Sequence, residues 1–431
     1  MNKERKTWLL YQTLTAALFF VFFFYAFFCT VPLASNLHST GFLPVSPENT
    51  FQESSNPSPV NVYVYRLPRK FTYGVVEHFW RARGFTDSET RGYPSHQHSA
   101  EWYLFLDVTT RSHELYWAGS PVIPISQPEE AEFFYVPFFS SLSSIVNKNQ
   151  LPSSSDWIKQ YDDGKAQEEL VAWLEKQEYW TRSEGRGHVL VCQNPKALNR
   201  VRDRVKNAVL LVSGFGQVRR DQGSPSKDVV VPCSHRISTY DGDIGVENRR
   251  LLLFAGNPYH HGGAKVRDFL FQALENEEDV IIEHGAASQE NQVLASERMR
   301  SSKFCLDIPP PGSSPASCRL FDAIFSMCIP VIVNGSSIEL PFEDVIDYRK
   351  IALFVQSTSA VKPAFLVTML RNVTRDRILE YQRELKLVKR YFDYKDPNGA
   401  VKEIWHQVLQ KLSLIKLMMI NHDNDLQIRC M

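Results

Sequence analysis

The sequence carries no surplus of charge of either sign: 48 Lys and Arg balance 48 Asp and Glu over 431 residues. No long basic run breaks that balance, so the electrostatic footprint of a phosphate-backbone partner is missing and no nucleic-acid binding is expected. Cysteine is also scarce. There are seven, none in a C-x-x-C pair, which removes the usual arrangement for structural zinc. No sequence repeat is evident. At roughly 150 residues per domain, the length leads us to expect two substantial domains with appendages.

What the sequence does have is one long apolar run, LLYQTLTAALFFVFFFYAFFC, from Leu9 to Cys29. As a helix of about 20 residues it matches the ~30 Å hydrocarbon core of a bilayer. Lys3, Arg5 and Lys6 precede it and TVPLASNLHST follows without a charge, so the positive-inside rule predicts a cytosolic N-terminus and a lumenal body. A cleaved signal peptide would have a shorter apolar region, about 7–15 residues, and a better small-residue site than Pro32-Leu33-Ala34. The expected organisation is a cytosolic tail (1–8), a transmembrane signal-anchor (9–29) and a Ser-, Pro-, Asn- and Thr-rich stem (30–59).

From residue 60 short β-branched or aromatic runs alternate with helical patterns. NVYVY, AEFFYVPFF, HVLVCQ, AVLLV and DVVVP read as strands, while EWYLFLDV, EELVAWLEKQ and ALNRVRDRV read as helices. After a polar break the alternation restarts with RRLLLFAG, KVRDFLFQALE, DVIIEHG, ENQVLASERM, KFCLDI, SCRLFDAIFSM and IPVIV. Near-continuous apolar strands need helices on both faces. The pattern therefore predicts two α/β, Rossmann-like domains with mainly parallel sheets, at 60–240 and 241–374, facing a cleft. Helices over 375–414, with a turn at Asp396-Pro-Asn-Gly, are expected to pack back on the body, followed by a polar tail to 431.

In open α/β sheets ligands sit beyond the carboxyl ends of the strands, where helix N-termini attract phosphate. The loop in KFCLDIPPPGSSPASCRLFDAI is the sharpest instance, with Ser317 as N-cap and Arg319 in the first turn of the next helix. A cation is disfavoured there unless an anion is near, and Arg grips a diphosphate bidentately. Asp322, three residues on, shares the face and could accept from ribose hydroxyls, although a bland surface Arg–Asp pair fits the spacing equally well. Gly256, Asn257, Gly262 and Gly263, ahead of a helix bearing Lys265 and Arg267, form a second loop that matches neither G-x-G-x-x-G nor a P-loop. His284 and Glu339 fall on the same rim as ligand contacts or as satisfied structural groups.

Asp241-Gly-Asp243 and Asp423-Asn-Asp425 have the letters of a metal-binding pair but follow no hydrophobic strand, so no metal site is assigned. In the first domain His96, His98 and Glu101, just before or within a helix, and His235, after a strand, are candidate bases for deprotonating an acceptor hydroxyl. Cys305, ending a strand, and Cys318, starting the next helix, could bridge in an oxidising lumen; Cys192, Cys233 and Cys328 read as bonded or as buried thiols. Asn334-Gly-Ser and Asn372-Val-Thr are N-glycosylation sequons suited to a lumenal body.

The stretches PEEAEFFYVPFF, KDVVVPCSH, LLLFAGN, GGAKVRDFLFQALE, SKFCLDIPPPGSSPASCRLFDAIFSMCIPVIV and SIELPFEDVIDYRK resemble, in order and spacing, the exostosin-related glycosyltransferase family 47. The likeness is greatest to plant members near the arabinosyltransferases. It implies a GT-B fold, a UDP-sugar donor bound by the second domain, inversion at the anomeric carbon, no obligatory metal or other cofactor, and a Golgi type II membrane protein. It further implies Arg267 and Arg319 near the donor diphosphate, Asp322 at the ribose and Glu339 as the acid of an ELPF motif. One departure is Ala255, where members of the family commonly carry a basic residue. The resulting expectation is transfer of arabinose, or else xylose, galactose or glucuronic acid, to a cell-wall polysaccharide. The other expectation is a non-catalytic scaffold subunit in a homo- or hetero-complex with other glycosyltransferases.

Overall fold

The computed structural model describes residues 58–110, 119–148, 160–216, 218–240, 242, 249–255, 265–283, 289–308, 318–334 and 339–429. The apolar run 9–29, the stem as far as residue 57, His284, Ser317 and the acids of Asp241-Gly-Asp243 lie outside the described residues. No described helix is long and apolar enough to cross a membrane.

Two wholly parallel sheets form the body. The first contains β1 (Val60–Val64), β2 (Val122–Ile125), β3 (Phe133–Val136), β4 (His188–Cys192), β5 (Val209–Val212) and β6 (Val229–Val230), in the order β2-β1-β3-β4-β5-β6. The second contains β7 (Arg250–Ala255), β8 (Val280–Glu283), β9 (Ser302–Asp307), β10 (Ile329–Asn334) and β11 (Leu353–Gln356), in the order β11-β10-β9-β7-β8. The expected two-part, parallel α/β architecture is present.

The first sheet is covered on both faces, which is why its strands show no polar alternation. Val189 and Val191 of β4 and Val209 and Leu211 of β5 face one buried cluster; Leu190, Cys192, Leu210 and Val212 face another. The former continues into the core of the second sheet by way of the C-terminal helix Ala400–Arg429, whose Trp405 is fully buried against Phe133 and Tyr135. The chain after the second sheet thus returns to the first.

Several elements go beyond the sequence pattern. β2 reads VIPI, and its Pro124 withdraws a ladder donor, which a sheet tolerates at an edge. ALNRVRDRV gives only the four-residue helix Arg202–Val205, because Leu198 takes a positive φ of 56° and interrupts the helical path. The last helix runs to Arg429 rather than stopping near 414. Beyond Gly399 neither Pro nor Gly occurs to end it, and Asp423-Asn-Asp425 falls on this helix.

Candidate functional site

The second sheet dictates where a ligand would sit. From β7 the chain steps to β8 on one side, then crosses to β9 on the other, so the loops leaving β7 and β9 diverge. That topological switch point is the favoured ligand position in an open parallel sheet. The residues at its lip are Ala255, ending β7, and Asp307, ending β9.

Both sequence-predicted arginines converge there. Arg319, second residue of the helix Cys318–Phe325, donates through Nη1 to the Ala255 carbonyl. Arg267, third residue of the helix Lys265–Leu274, donates through Nη2 to the Ile308 carbonyl at 2.6 Å. Leu253, Ala255, Cys305, Asp307, Arg319 and Ala323 line a small cavity at this corner. Burial pushes the Arg319 and Arg267 guanidinium pKa values down. Asp307 opposes the shift at both, and Arg319 adds to it at Arg267. Guanidinium groups in the first turns of two helices are the kind of groups that can hold an anion.

Asp322 lies one turn beyond Arg319, but the bland surface pair does not describe it. It is only 5% exposed, and its Oδ1 accepts the backbone N–H of Arg236 at 2.8 Å. Burial raises its carboxyl pKa, while that hydrogen bond and the Arg236 charge pull it back. Glu339 is half-buried, directly ahead of core residue Leu340.

The expected Cys305–Cys318 bridge is not made. Cys318 bonds to Cys233, and Cys305 bonds to Cys328. The reason is topological. β9 and β10 run side by side with Phe304 against Ile329, which brings Cys328, one residue before β10, beside Cys305. Cys318 instead meets the segment leaving the first sheet. Among the described cysteines only Cys192 is free, and it is buried.

That segment, 232–240, is laced to the helix Cys318–Phe325. Besides the disulfide and the Arg236–Asp322 bond, the His235 ring stacks on Phe325 at 3.8 Å, and the Tyr240 N–H reaches the Phe325 carbonyl at 3.1 Å. On its other side Ser234 N–H donates to the Gln97 carbonyl at 2.9 Å, and Gln193 Nε2 and the Tyr394 hydroxyl both donate to the Pro232 carbonyl at 2.6 Å. The helix Cys318–Phe325 is therefore held to the rim of the first sheet.

Three of the four candidate bases have structural partners. Glu101 is buried and accepts from Ser141 N–H at 2.7 Å, Leu142 N–H at 2.9 Å and the Tyr93 hydroxyl at 2.8 Å. Burial pushes its carboxyl up to about 7 against those donors. His96 pairs with the Tyr93 hydroxyl at 2.7 Å, and its Nδ1 accepts from His98 N–H at 3.2 Å. His235 directs Nδ1 at the Ile237 carbonyl, 2.8 Å away. His98 differs: its Nε2 stands 4.0 Å from Cys318 Sγ, next to Arg319 in the chain. Burial first, then Lys148 and Arg236, lower its pKa to about 4, so the imidazole is neutral near pH 7. The ligand atoms of His98, Cys233 and Cys318 lie within 4.8 Å of one another, but the two sulfurs are bonded to each other.

Asn372 is exposed at the end of the helix Phe365–Arg371, and Asn334 ends β10; no side chain is described for the latter. Sequence reasoning passed over Arg236. The signal available was its place in VVVPCSHR, just past a strand and a cysteine at the domain break.

A family described as the exostosin GT47 domain matches residues 56–370, more than half of the chain. The chain is 55% identical over 376 residues to the "Probable arabinosyltransferase ARAD1" of Arabidopsis thaliana, covering 86% of this chain and 82% of that protein. It is 28% identical over 376 residues to the "Probable beta-1,4-xylosyltransferase IRX10L" of the same plant, covering 82% and 81%. To a rice protein named a probable glucuronosyltransferase it is 27% identical over 379 residues, covering 82% and 80%.

Proposed function

This chain belongs to the exostosin GT47 family and is a glycosyltransferase, and from that premise we propose that it transfers arabinose from a UDP-sugar to a cell-wall polysaccharide, pectin or hemicellulose, with inversion. The observation that carries the donor side is the corner where Arg319 and Arg267 meet the ends of β7 and β9. There the two guanidinium groups take the diphosphate and stabilise it as the bond to the anomeric carbon breaks. Ser317, His284, Asp322 and Glu339 complete the donor contacts. No obligatory metal or cofactor is needed, since the arginines and helix starts neutralise the leaving group.

On the acceptor side His98 takes the proton of the attacking hydroxyl. Its ring nitrogen faces the first turn of the donor helix, whereas His235, stacked on Phe325 at the far end of that helix, directs its Nδ1 at the Ile237 carbonyl. The two sheets work as a GT-B pair across a cleft. Residues 9–29 anchor the chain in the Golgi membrane as a single-pass type II protein, with the body lumenal, Asn334 and Asn372 glycosylated, and association with other glycosyltransferases open to it.

Full-length protein in detergent, given a panel of UDP-sugars and pectic or hemicellulosic acceptors, should use UDP-arabinose best and give the inverted anomer. Arg319→Ala should abolish UDP binding without unfolding the protein; retained UDP affinity would sink the donor site. Protease added to sealed vesicles should leave the body intact, and cleavage without detergent would contradict the topology.

The xylosyl- and glucuronosyltransferase names among the relatives favour a second reading, in which a different UDP-sugar fills the same site, because sugar choice rests on few pocket contacts. A scaffold role is favoured only by Ala255, whose place lacks a cation. Arg319 already covers its carbonyl, which leaves the corner positively charged without it.

A further inference from the structure

We propose that Arg236 is a third cation of the donor diphosphate site, reaching it from the first-sheet side. This rests on the donor-site reading above and adds a residue that belongs to neither helix of the second sheet.

Position comes first. The Arg236 backbone N–H is bonded to Asp322 Oδ1 at 2.8 Å, and Asp322 lies one helical turn from Arg319 on the same face. The Cys233–Cys318 disulfide fixes the same two segments together three residues earlier in one and one residue earlier in the other. An arginine side chain starting there spans a helical turn with ease.

Charge comes second. Arg236 bears on three groups around the corner: it disfavours the protonated forms of Arg319 and His98 and favours the ionised form of Asp322, in each case after burial as the larger cause. Arg236, Arg267 and Arg319 thus face Asp307 and Asp322, with the exposed Asp268 beside Arg267, and burial pushes Asp322 towards its neutral form. With Asp322 drawn towards neutrality and Asp268 turned to solvent, the buried part of the corner holds more cation than anion, a balance that a diphosphate redresses.

Hydrogen bonding comes third. The Nε of Arg236 is buried and, among the described residues, has no acceptor; the main chain alone makes the bond to Asp322. Buried donors are paired in nearly all folded proteins, and a ligand is one of the groups that satisfies such a donor. Arg202 Nε and Arg300 Nε share the feature, but only Arg236 combines it with a place beside Asp322 and Arg319. A phosphate oxygen of the donor supplies the acceptor here.

The test is calorimetric titration of the full-length protein in detergent with UDP, beside Arg236→Ala, Arg236→Lys and Arg319→Ala. Arg236→Ala should weaken UDP by roughly ten- to a hundredfold, the span of one charged hydrogen bond, with melting temperature unchanged because the main-chain bond to Asp322 survives. Arg236→Lys, which keeps the charge but not the fork, should recover part of that loss. In turnover assays the donor KM should rise and the acceptor KM stay put. Undiminished UDP affinity in Arg236→Ala, while Arg319→Ala loses it, overturns the role of Arg236 and leaves the donor site standing. Undiminished affinity in both overturns the two together. Lysine binding UDP no better than alanine does would also overturn the proposal.

Discussion

Cys233 and Cys318, 85 residues apart in the chain, are joined by a disulfide, and the Cys318 sulfur lies 4.0 Å from Nε2 of His98. One covalent bond therefore fixes the start of the helix bearing Arg319 and Asp322 to the segment leaving the first sheet.

Three outcomes are expected from that bond. Non-reducing peptide mapping should recover Cys233 linked to Cys318 and Cys305 linked to Cys328; a Cys305–Cys318 peptide would refute the topology. Replacing Cys233 and Cys318 together by Ser should cost about 2–5 kcal/mol in urea denaturation, because an 85-residue loop in the unfolded chain is released. UDP affinity should fall as well, since the first turn that presents Arg319 loses its tether.

His98→Ala and Glu101→Gln separate chemistry from structure. Removing His98 should leave UDP affinity and melting temperature close to those of the parent and reduce kcat at least a hundredfold, in the range of about 10²–10⁴ for a lost general base. Unchanged kcat would remove His98 from the mechanism. Glu101→Gln turns one of two carboxylate acceptors into a donor facing the main-chain N–H groups of Ser141 and Leu142. It should destabilise the fold by about 1–3 kcal/mol and leave turnover per folded molecule unchanged.

Much of this was legible in the sequence. The apolar strands VLVC and VLLV carry both faces of the first sheet, and an arginine in a first helical turn gave a physical reason to suspect an anion at Arg319. The cysteine pairing was not, because proximity in sequence favoured Cys305 with Cys318, whereas strand register and the crossing segment choose the partners. The choice among His96, His98, Glu101 and His235 was equally hidden. It depends on which main-chain groups, such as Ser141 N–H, fold back to occupy each side chain. Arg236 escaped notice because its significance comes from Asp322, 86 residues away.

Acid should destabilise the protein before it denatures generally. Burial lowers His98 and His188 to about 4 and His96 to about 3, against 6.5 in an unfolded chain. Between pH 6 and pH 5 the unfolded state therefore binds between about two and three protons that the folded state does not. Glu101, raised to about 7, binds one in the folded state that the unfolded state lacks. The three histidines outweigh Glu101 among these four groups, while burial-raised Asp163, Asp228 and Asp322 work in the same sense as Glu101. Stability should therefore fall as pH drops through this window, by less than the histidines alone would give. Urea midpoints at pH 5.0, 5.5 and 6.0 measure the slope; a flat or inverted profile would show that these histidines are hydrated in the folded protein.

The C-terminal helix is expected to be indispensable to the first sheet, although it follows the second in the chain. Trp405 is fully buried, its indole Nε1 donates to Asp107 Oδ2 at 2.8 Å, and its ring packs on Tyr135 edge-on at 5.7 Å and on Phe133 at 5.9 Å. Trp405→Ala opens a cavity among rings that cannot collapse into it and should cost about 3–5 kcal/mol. Trp405→Phe keeps most of the packing but removes the donor from a buried carboxylate, so its cost should be about 1–3 kcal/mol and should shrink in the double variant with Asp107→Asn, whose amide tolerates the loss of that donor better than a carboxylate does. Because Trp405 belongs to the core shared by the two sheets, unfolding followed by circular dichroism and by UDP binding should shift together. Loss of UDP binding well before the circular-dichroism transition would mean that the second sheet unfolds independently of this helix.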